Sequence, residues 1–172
     1  LIGRVRSGAR VRVDWTWRAR TWIIEWVWYR IVRQLGHFIW EENGLVSNAL
    51  AKALGVRMSW SANLAAMKFL PPVEANLIEI GDFVELSGFT ISCAATTGRY
   101  KCVKIESRAQ VGLYSRLNAG VVVEQDAAVG HQTVVPEDYV VRTGSTFFAA
   151  GTFVRSGPAG NATKAKAVRA AY

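Results

Sequence analysis

The chain has 172 residues, of which 51% are hydrophobic, and it carries a formal net charge of +8 at pH 7. This length and apolar content allow one domain with a buried core. The two cysteines and two histidines are too few for a disulfide framework or for a zinc centre that needs three histidines. We therefore expect no metal and no cofactor. We also expect both thiols to be reduced, which favours a location of the protein on the reducing side of a membrane.

The positive charge is concentrated in the two flanks of the chain. Residues 1–40 carry a net charge of +6 and residues 155–172 carry +4, whereas residues 71–154 carry −3. A basic flank can contact nucleic acid, anionic lipid or an acidic protein. Because the arginines stand beside Trp and Ile, and because the sequence has no nucleic-acid recognition motif, we expect no nucleic-acid partner.

Residues 1–20 alternate Arg with Val and Trp, as in the run Arg10, Val11, Arg12 and Val13. Alternation with a period of two is typical of an extended chain. The sequence therefore predicts an extended basic arm over residues 1–20. What this arm pairs with is left open.

Residues 21–42 predict a helix, for which Thr21 is a candidate N-cap. Apolar side chains recur there at the helical spacing. They are Ile24, Val27, Trp28, Ile31, Leu35, Phe38 and Ile39. Charged and polar residues such as Glu25 and Arg30 interrupt the run of about 20 apolar residues that a transmembrane helix needs.

Tryptophan and arginine together suggest that this helix is an anchor. The candidate anchoring residues are Trp22, Trp26, Trp28, Arg30, Arg33 and Trp40. Such a composition is typical of a helix that lies in the membrane interface. Docking onto a partner protein and packing into the core are the alternatives. We expect membrane association, with other subunits of a membrane complex as partners and anionic lipid as a further candidate partner.

Asn43-Gly44 indicates a turn, and a second short helix should follow it and end at Gly55. Residues 21–55 are therefore interpreted as a helical anchor. Residues 56–157 are interpreted as a repetitive β domain, and residues 158–172 as a basic tail.

The β domain is predicted from a repeat of six residues. Large apolar side chains occur at Ile105, Val111, Leu117, Val123, Val129, Val135, Val141, Phe147 and Phe153. Four places after each of the first eight comes Ala109, Ser115, Val121, Ala127, Thr133, Tyr139, Ser145 or Gly151, mostly small residues. A period of six fits a coil of three short faces, so the sequence predicts a parallel β-helix. A β-sandwich is the alternative. Residues 92–102 interrupt the period and should form a loop.

Several segments resemble the tandem C-terminal domains of the poly-lysine-synthetase-type peptide synthetases. The residues that carry the likeness are Asn43-Gly44-Leu45, Leu54-Gly55-Val56-Arg57, Asn76-Leu77-Ile78-Glu79-Ile80-Gly81-Asp82, Val103-Lys104-Ile105 and Val111-Gly112. The resemblance covers about residues 22–142. It implies a left-handed β-helix related to the hexapeptide-repeat acyltransferases, preceded by the Trp- and Arg-rich helix and the short second helix.

The chain departs from that family at Cys93, where the resemblance leads us to expect a histidine. Hexapeptide acyltransferases use a histidine as general base, and this chain has only His37, on the N-terminal helix, and His131, within the repeat. We assign no catalytic residue, and His131 and Cys93 are the candidates that remain. The first hypothesis is a non-catalytic accessory subunit of a membrane-associated complex. The alternative is an acyl- or aminoacyltransferase-like domain that acts on a thioester carrier.

Overall fold

The computed structural model describes residues 5–10, 15–34, 44–65, 71–148 and 153–155. In these segments two α-helices, α1 (Trp15–Gln34) and α2 (Gly44–Leu54), precede fourteen short strands. A 3₁₀ turn at Ala75–Leu77 leads into the third strand. The strands are β1 (Arg57–Met58), β2 (Asn63–Ala65), β3 (Ile78–Ile80), β4 (Glu85–Ser87), β5 (Thr90–Ile91), β6 (Val103–Ile105), β7 (Gln110–Val111), β8 (Arg116–Leu117), β9 (Val122–Val123), β10 (Ala128–Val129), β11 (Val134–Val135), β12 (Val140–Val141), β13 (Ser145–Phe147) and β14 (Phe153–Arg155).

The strands form three sheets, and from β3 to β13 successive strands belong to the first, second and third sheet in turn. The first sheet has the order β1-β3-β6-β9-β12, the second β14-β13-β10-β7-β4-β2, and the third β11-β8-β5. Apart from the antiparallel β13–β14 pair, the strand pairs in these sheets are parallel. The chain is thus a mostly β, parallel β-solenoid with two helices before it, as the sequence predicts.

The six-residue repeat fills the interior of the solenoid. Its positions from Ile105 to Phe147 are each at most 5% exposed. Residues eighteen apart are neighbours on adjacent turns, as Val111 and Val129 are in the second sheet. Because side chains alternate between the two faces of a strand, one inward residue per short strand suffices to build a continuous core.

The corners of the coil also repeat every six residues. A positive φ, between 53° and 78°, occurs at Arg108, Tyr114, Gly120, Asp126, Gln132, Asp138 and Gly144. The residue after each of these points toward the interior, where space is scarce. It is Ala, Ser or Thr at five of the seven corners. Tyr139, one of the exceptions, is only partly buried and packs against Phe147, with ring centroids 4.9 Å apart.

The repeat does not continue through Phe153 as a further parallel turn. The strand β14 pairs antiparallel with β13, and Phe153 lies opposite Phe147. Directly opposed residues of an antiparallel pair share a face, so the six-residue spacing at this point arises from a reversal of the chain. The prediction that the parallel coil continues through Phe153 is therefore wrong.

The helix α1 begins earlier than the sequence predicts. It starts at Trp15, six residues before Thr21, so residues 15–20 are helical and do not belong to an extended arm. This stretch contains good helix formers, including Arg18, Ala19 and Arg20, and neither Gly nor Pro. The predicted helical residues 35–42 lie outside the described residues, as do residues 1–4 and 11–14 of the predicted arm.

The helix α2 follows the prediction and lies over the first strands. Gly55, which ends it, has a φ of +109°, a conformation that glycine adopts without strain. The Asn48 side-chain amide donates to the carbonyl of Trp60 at 3.1 Å and to that of Ala62 at 2.6 Å. These bonds fix α2 to the turn between β1 and β2.

The partner of the N-terminal arm is the loop at residues 92–102. The Gly8 N–H donates to the Tyr100 carbonyl at 2.7 Å, and the Tyr100 N–H donates to the Ala9 carbonyl at 2.9 Å. Arg10 and Arg99 form an isolated antiparallel bridge. Val5 is buried, and its carbonyl accepts a hydrogen bond from the Asn76 side chain. Residues 5–10 of the arm are thus part of the fold.

Candidate functional site

The inner face of α1 packs on the solenoid. Ile24 and Trp28 are partly buried and contact the hydrophobic core. The charge of Glu25 also acts on Glu74, beside the start of the 92–102 loop. Trp28, one of the six candidate anchoring residues, therefore holds the helix to its own domain.

The outer face of α1 exposes a continuous apolar surface. We define the outer stripe as four residues of this face, Trp22, Ile23, Trp26 and Val27, which are 64%, 52%, 48% and 42% exposed. They form two i, i+4 pairs, which are neighbours on a helix surface. Exposed apolar side chains that lie together in this way mark protein–protein or membrane contact sites.

Aromatic and cationic contacts order the outer stripe. The rings of Trp22 and Trp26 stack with centroids 6.5 Å apart. The guanidinium carbon of Arg30 lies 5.2 Å from the Trp26 ring centroid, which is within the range of a cation–π interaction. Three candidate anchoring residues, Trp22, Trp26 and Arg30, are therefore brought together. Arg33 lies in the last turn of α1, and its side chain, like the whole of His37 and Trp40, is outside the description.

No helix among the described residues is long and apolar enough to cross a membrane.

Cys93 lies at the corner between the third and first sheets and is fully buried. Its N–H donates to Glu74 Oε2 at 2.6 Å. Burial raises the pKa of the Cys93 thiol above its ordinary value, and the nearby charge of Glu74 raises it further. Because the thiolate is the nucleophilic form, this environment opposes a nucleophilic role for Cys93.

His131 lies at a different corner, between the second and third sheets, and is exposed. Its Nδ1 accepts a hydrogen bond of 2.9 Å from the Leu113 N–H. In the neutral ring the proton is then on Nε2, so the outward nitrogen is a donor and has no lone pair for a substrate proton. The two catalytic candidates, His131 and Cys93, are not brought together.

A polar groove of about 560 Å³, which sequence reasoning missed, runs along the corner between the first and second sheets. Its lining includes Arg57, Ser59, Glu79, Asp82, Lys104 and Glu106. Two pairs of these residues form salt bridges of 2.8 Å, Arg57–Glu79 and Lys104–Glu106. These residues are distant in the sequence and lie together because they occupy the same corner on successive turns. The groove therefore has no local sequence motif by which it could be predicted.

Asp82 is one of three carboxylates in the groove, and it accepts hydrogen bonds from the hydroxyls of Ser59 and Ser61. These hydrogen bonds lower the pKa of Asp82 below its ordinary value. A carboxylate held in its charged form is a poor proton donor. Within the described ranges no three His, Cys, Asp or Glu residues are grouped so that they could hold a metal ion. The groove therefore offers polar and charged contacts.

Comparison with protein-family models and with curated proteins found no match to the sequence.

Proposed function

We propose that the protein is a non-catalytic β-solenoid subunit of a membrane-associated complex and that the outer stripe of α1 holds it at the membrane surface. The observation that carries this proposal is the exposure of Trp22, Ile23, Trp26 and Val27 on a helix whose other face packs on the solenoid. Tryptophan prefers the interfacial region, and an apolar face of this kind binds in the plane of the interface.

The arginines of α1 favour a lipid surface over an acidic protein groove as the occupant. Arg20 and Arg30 are exposed beside the outer stripe, and cations next to interfacial tryptophans add attraction to anionic lipids. The solenoid would then lie on the reducing side of the membrane, and its sheets would be available for contacts with other subunits. The left-handed sense of the coil and the kinship with the synthetase C-terminal domains belong to this proposal, since the sequence resemblance alone supports them.

The transferase alternative lacks comparable support. Cys93 is buried and burial raises the pKa of its thiol, His131 presents a donor nitrogen, and the two residues lie at different corners. A transfer assay with a thioester donor and an amine acceptor should give no rate above background. Turnover that His131→Ala or Cys93→Ala abolishes would overturn the non-catalytic assignment.

Vesicle binding tests the membrane proposal. Wild-type protein should co-sediment with vesicles of phosphatidylcholine and phosphatidylglycerol, and Trp22→Ser/Trp26→Ser should bind at least about tenfold more weakly, since burying each large apolar side chain contributes roughly 1.5–3 kcal/mol. The matched control is Trp60→Ser, because Trp60 is 57% exposed but belongs to the turn between β1 and β2, where it contacts Lys52 of α2. Equal binding by the double variant and wild type would contradict the proposal.

A further inference from the structure

Two arginines face each other where the N-terminal arm meets the loop. Arg10 and Arg99 are directly opposed in the antiparallel bridge. The flanking hydrogen bond from the Tyr100 N–H to the Ala9 carbonyl makes them a non-hydrogen-bonded pair, in which Cα atoms are about 4.5 Å apart and side chains are closest. Both side chains leave the bridge on the same side, and both residues are exposed.

The charges of this pair are not neutralised within the described segments. No salt bridge there involves Arg10 or Arg99. Two carboxylates that meet the loop are engaged elsewhere. Glu137 accepts from the Thr96 N–H at 2.7 Å, and Asp138 pairs with Lys101. Like charges directly opposite each other destabilise a strand pair. An anion that binds between the two guanidinium groups would therefore stabilise the bridge.

The bridge is held in place by its surroundings. Backbone hydrogen bonds join the arm to the loop on the Gly8 side of Arg10. The loop is fixed in turn by Glu74, which accepts from the N–H of Cys93. A planar guanidinium presents two parallel N–H groups, a geometry that matches the oxygens of a phosphate. Two of them on a fixed bridge can hold a phosphate between them, and we call the Arg10–Arg99 pair the clamp.

We propose that the Arg10–Arg99 pair binds the phosphate groups of anionic lipid headgroups on the membrane to which the outer stripe attaches. This inference rests on the proposed function. Arg10 and the start of α1 at Trp15 are five residues apart, which limits their separation to about 18 Å. The charge of Glu25 on α1 acts on Glu74, and Glu74 accepts a hydrogen bond from the Cys93 N–H at the start of the loop. An apolar stripe and a cationic clamp supply the two signals that stable surface anchoring requires.

Vesicle partitioning of matched charge variants tests the clamp. Arg10→Gln/Arg99→Gln should partition into phosphatidylglycerol-containing vesicles about 30-fold more weakly than wild type, since each arginine near an anionic surface contributes roughly fivefold. Its binding to pure phosphatidylcholine should be unchanged. Arg108→Gln/Arg142→Gln removes the same charge at the corner between the first and second sheets, and it should lose less than threefold. Arg10→Lys/Arg99→Lys keeps both charges but lacks the paired N–H groups, so its affinity should lie between those of wild type and Arg10→Gln/Arg99→Gln. Its remaining binding serves as the folding control.

Three results would overturn the clamp. One is wild-type partitioning by Arg10→Gln/Arg99→Gln, and another is an equal loss in the Arg108/Arg142 control, which would reflect net charge alone. The third is tight binding of inorganic phosphate or glycerol 3-phosphate to a wild-type protein that ignores anionic vesicles, because it would make a soluble phosphate the ligand. If the tryptophan variant keeps wild-type binding while the arginine variant loses it, the stripe of the proposed function fails and the clamp stands.

Discussion

Ile105 and Val123 are paired on neighbouring parallel strands of the first sheet, and both side chains point into the interior of the solenoid. They are eighteen residues apart, which is one full turn of the coil. The same relationship links Leu117 to Val135 in the third sheet. The stability of the domain should therefore depend far more on these inward positions than on the exposed residues of the same strands.

Truncating one inward side chain tests this dependence. Leu117→Ala should lower the free energy of unfolding by about 2–5 kcal/mol, because Leu117 is fully buried and the change leaves a cavity. Its neighbour Arg116 is exposed on the same strand, so Arg116→Ala should change the free energy of unfolding by less than about 0.5 kcal/mol. Urea denaturation measures both. Similar losses in the two variants would contradict the inward assignment.

A glycine at a corner provides a second test. A Cβ added at Gly112 would lie 2.7 Å from the His131 backbone nitrogen, so Gly112→Ala should destabilise the solenoid by about 1–3 kcal/mol. Gly44, at the start of α2, has only an ordinary contact of 3.6 Å at the same position. Gly44→Ala should therefore be neutral or slightly stabilising. Thermal unfolding of the two alanine variants compares them, and equal melting temperatures would be inconsistent with the close packing of adjacent turns.

The repeat could be predicted from the sequence because each inward residue carries its own signal. From Ile105 to Phe147 each strand contributes a large apolar side chain at the six-residue position, and most corners contribute a small buried residue. The pattern is therefore visible in the sequence even when the pairing of the strands is unknown. The pairing of Arg10 with Arg99 could not be predicted, because an isolated bridge between distant residues leaves no periodic trace. The pattern assigns Phe153 to the repeat because this residue follows Phe147 by six residues. That spacing comes from a reversal of the chain, which the sequence pattern does not distinguish from a further turn of the coil.

The sequence predicts a helix rich in Trp and Arg, but it does not predict which face of α1 packs on the solenoid. Trp22, Trp26 and Trp28 look alike in the sequence, whereas the structure exposes the first two and packs Trp28 on the core. Which face of a helix turns inward depends on where the helix docks. The buried environment of Cys93 could not be predicted either, because it depends on packing against other segments, including the one that contains Glu74.

Thiol reactivity should differ between the two cysteines. Cys93 is buried and its thiol has a raised pKa, whereas Cys102 is partly exposed. The native protein should therefore react rapidly at no more than one thiol with a disulfide reagent at neutral pH, and unfolded protein should react at both. Cys102→Ala removes the reactive group and should leave native protein nearly inert. Fast modification of that variant would show that Cys93 is accessible.

The stability of the protein should depend on pH through Glu74. Burial raises the pKa of the Glu74 carboxyl above 4.5, its ordinary value, and the Cys93 N–H opposes this effect in part. The folded state then binds the proton more tightly than the unfolded state. The stabilisation that protonated Glu74 contributes is complete below pH 4.5 and is lost as the pH rises through the folded pKa.

Replacing Glu74 with Gln removes this titration. Relative to wild type, Glu74→Gln should gain stability as the pH rises from about 4.5 through the folded pKa of Glu74, and the difference should then level off. Its amide oxygen can still accept from the Cys93 N–H. Thermal melts of both proteins across this range give the comparison. A difference that does not change with pH would show that the Glu74 carboxyl has the same pKa in the folded and unfolded states.

Quenching of tryptophan fluorescence by brominated lipids tests the central claim most directly, since it reports whether the outer stripe of α1 contacts lipid. Trp22→Phe/Trp26→Phe keeps the stripe apolar, so the variant should still bind anionic vesicles while it loses the fluorophores at the contact. We predict strong quenching of the wild-type protein on vesicles that contain brominated acyl chains, and loss of most of that quenching in the variant. A vesicle-bound wild-type protein that shows no quenching, or a variant quenched as strongly as wild type, would contradict the assignment of α1 as the membrane anchor.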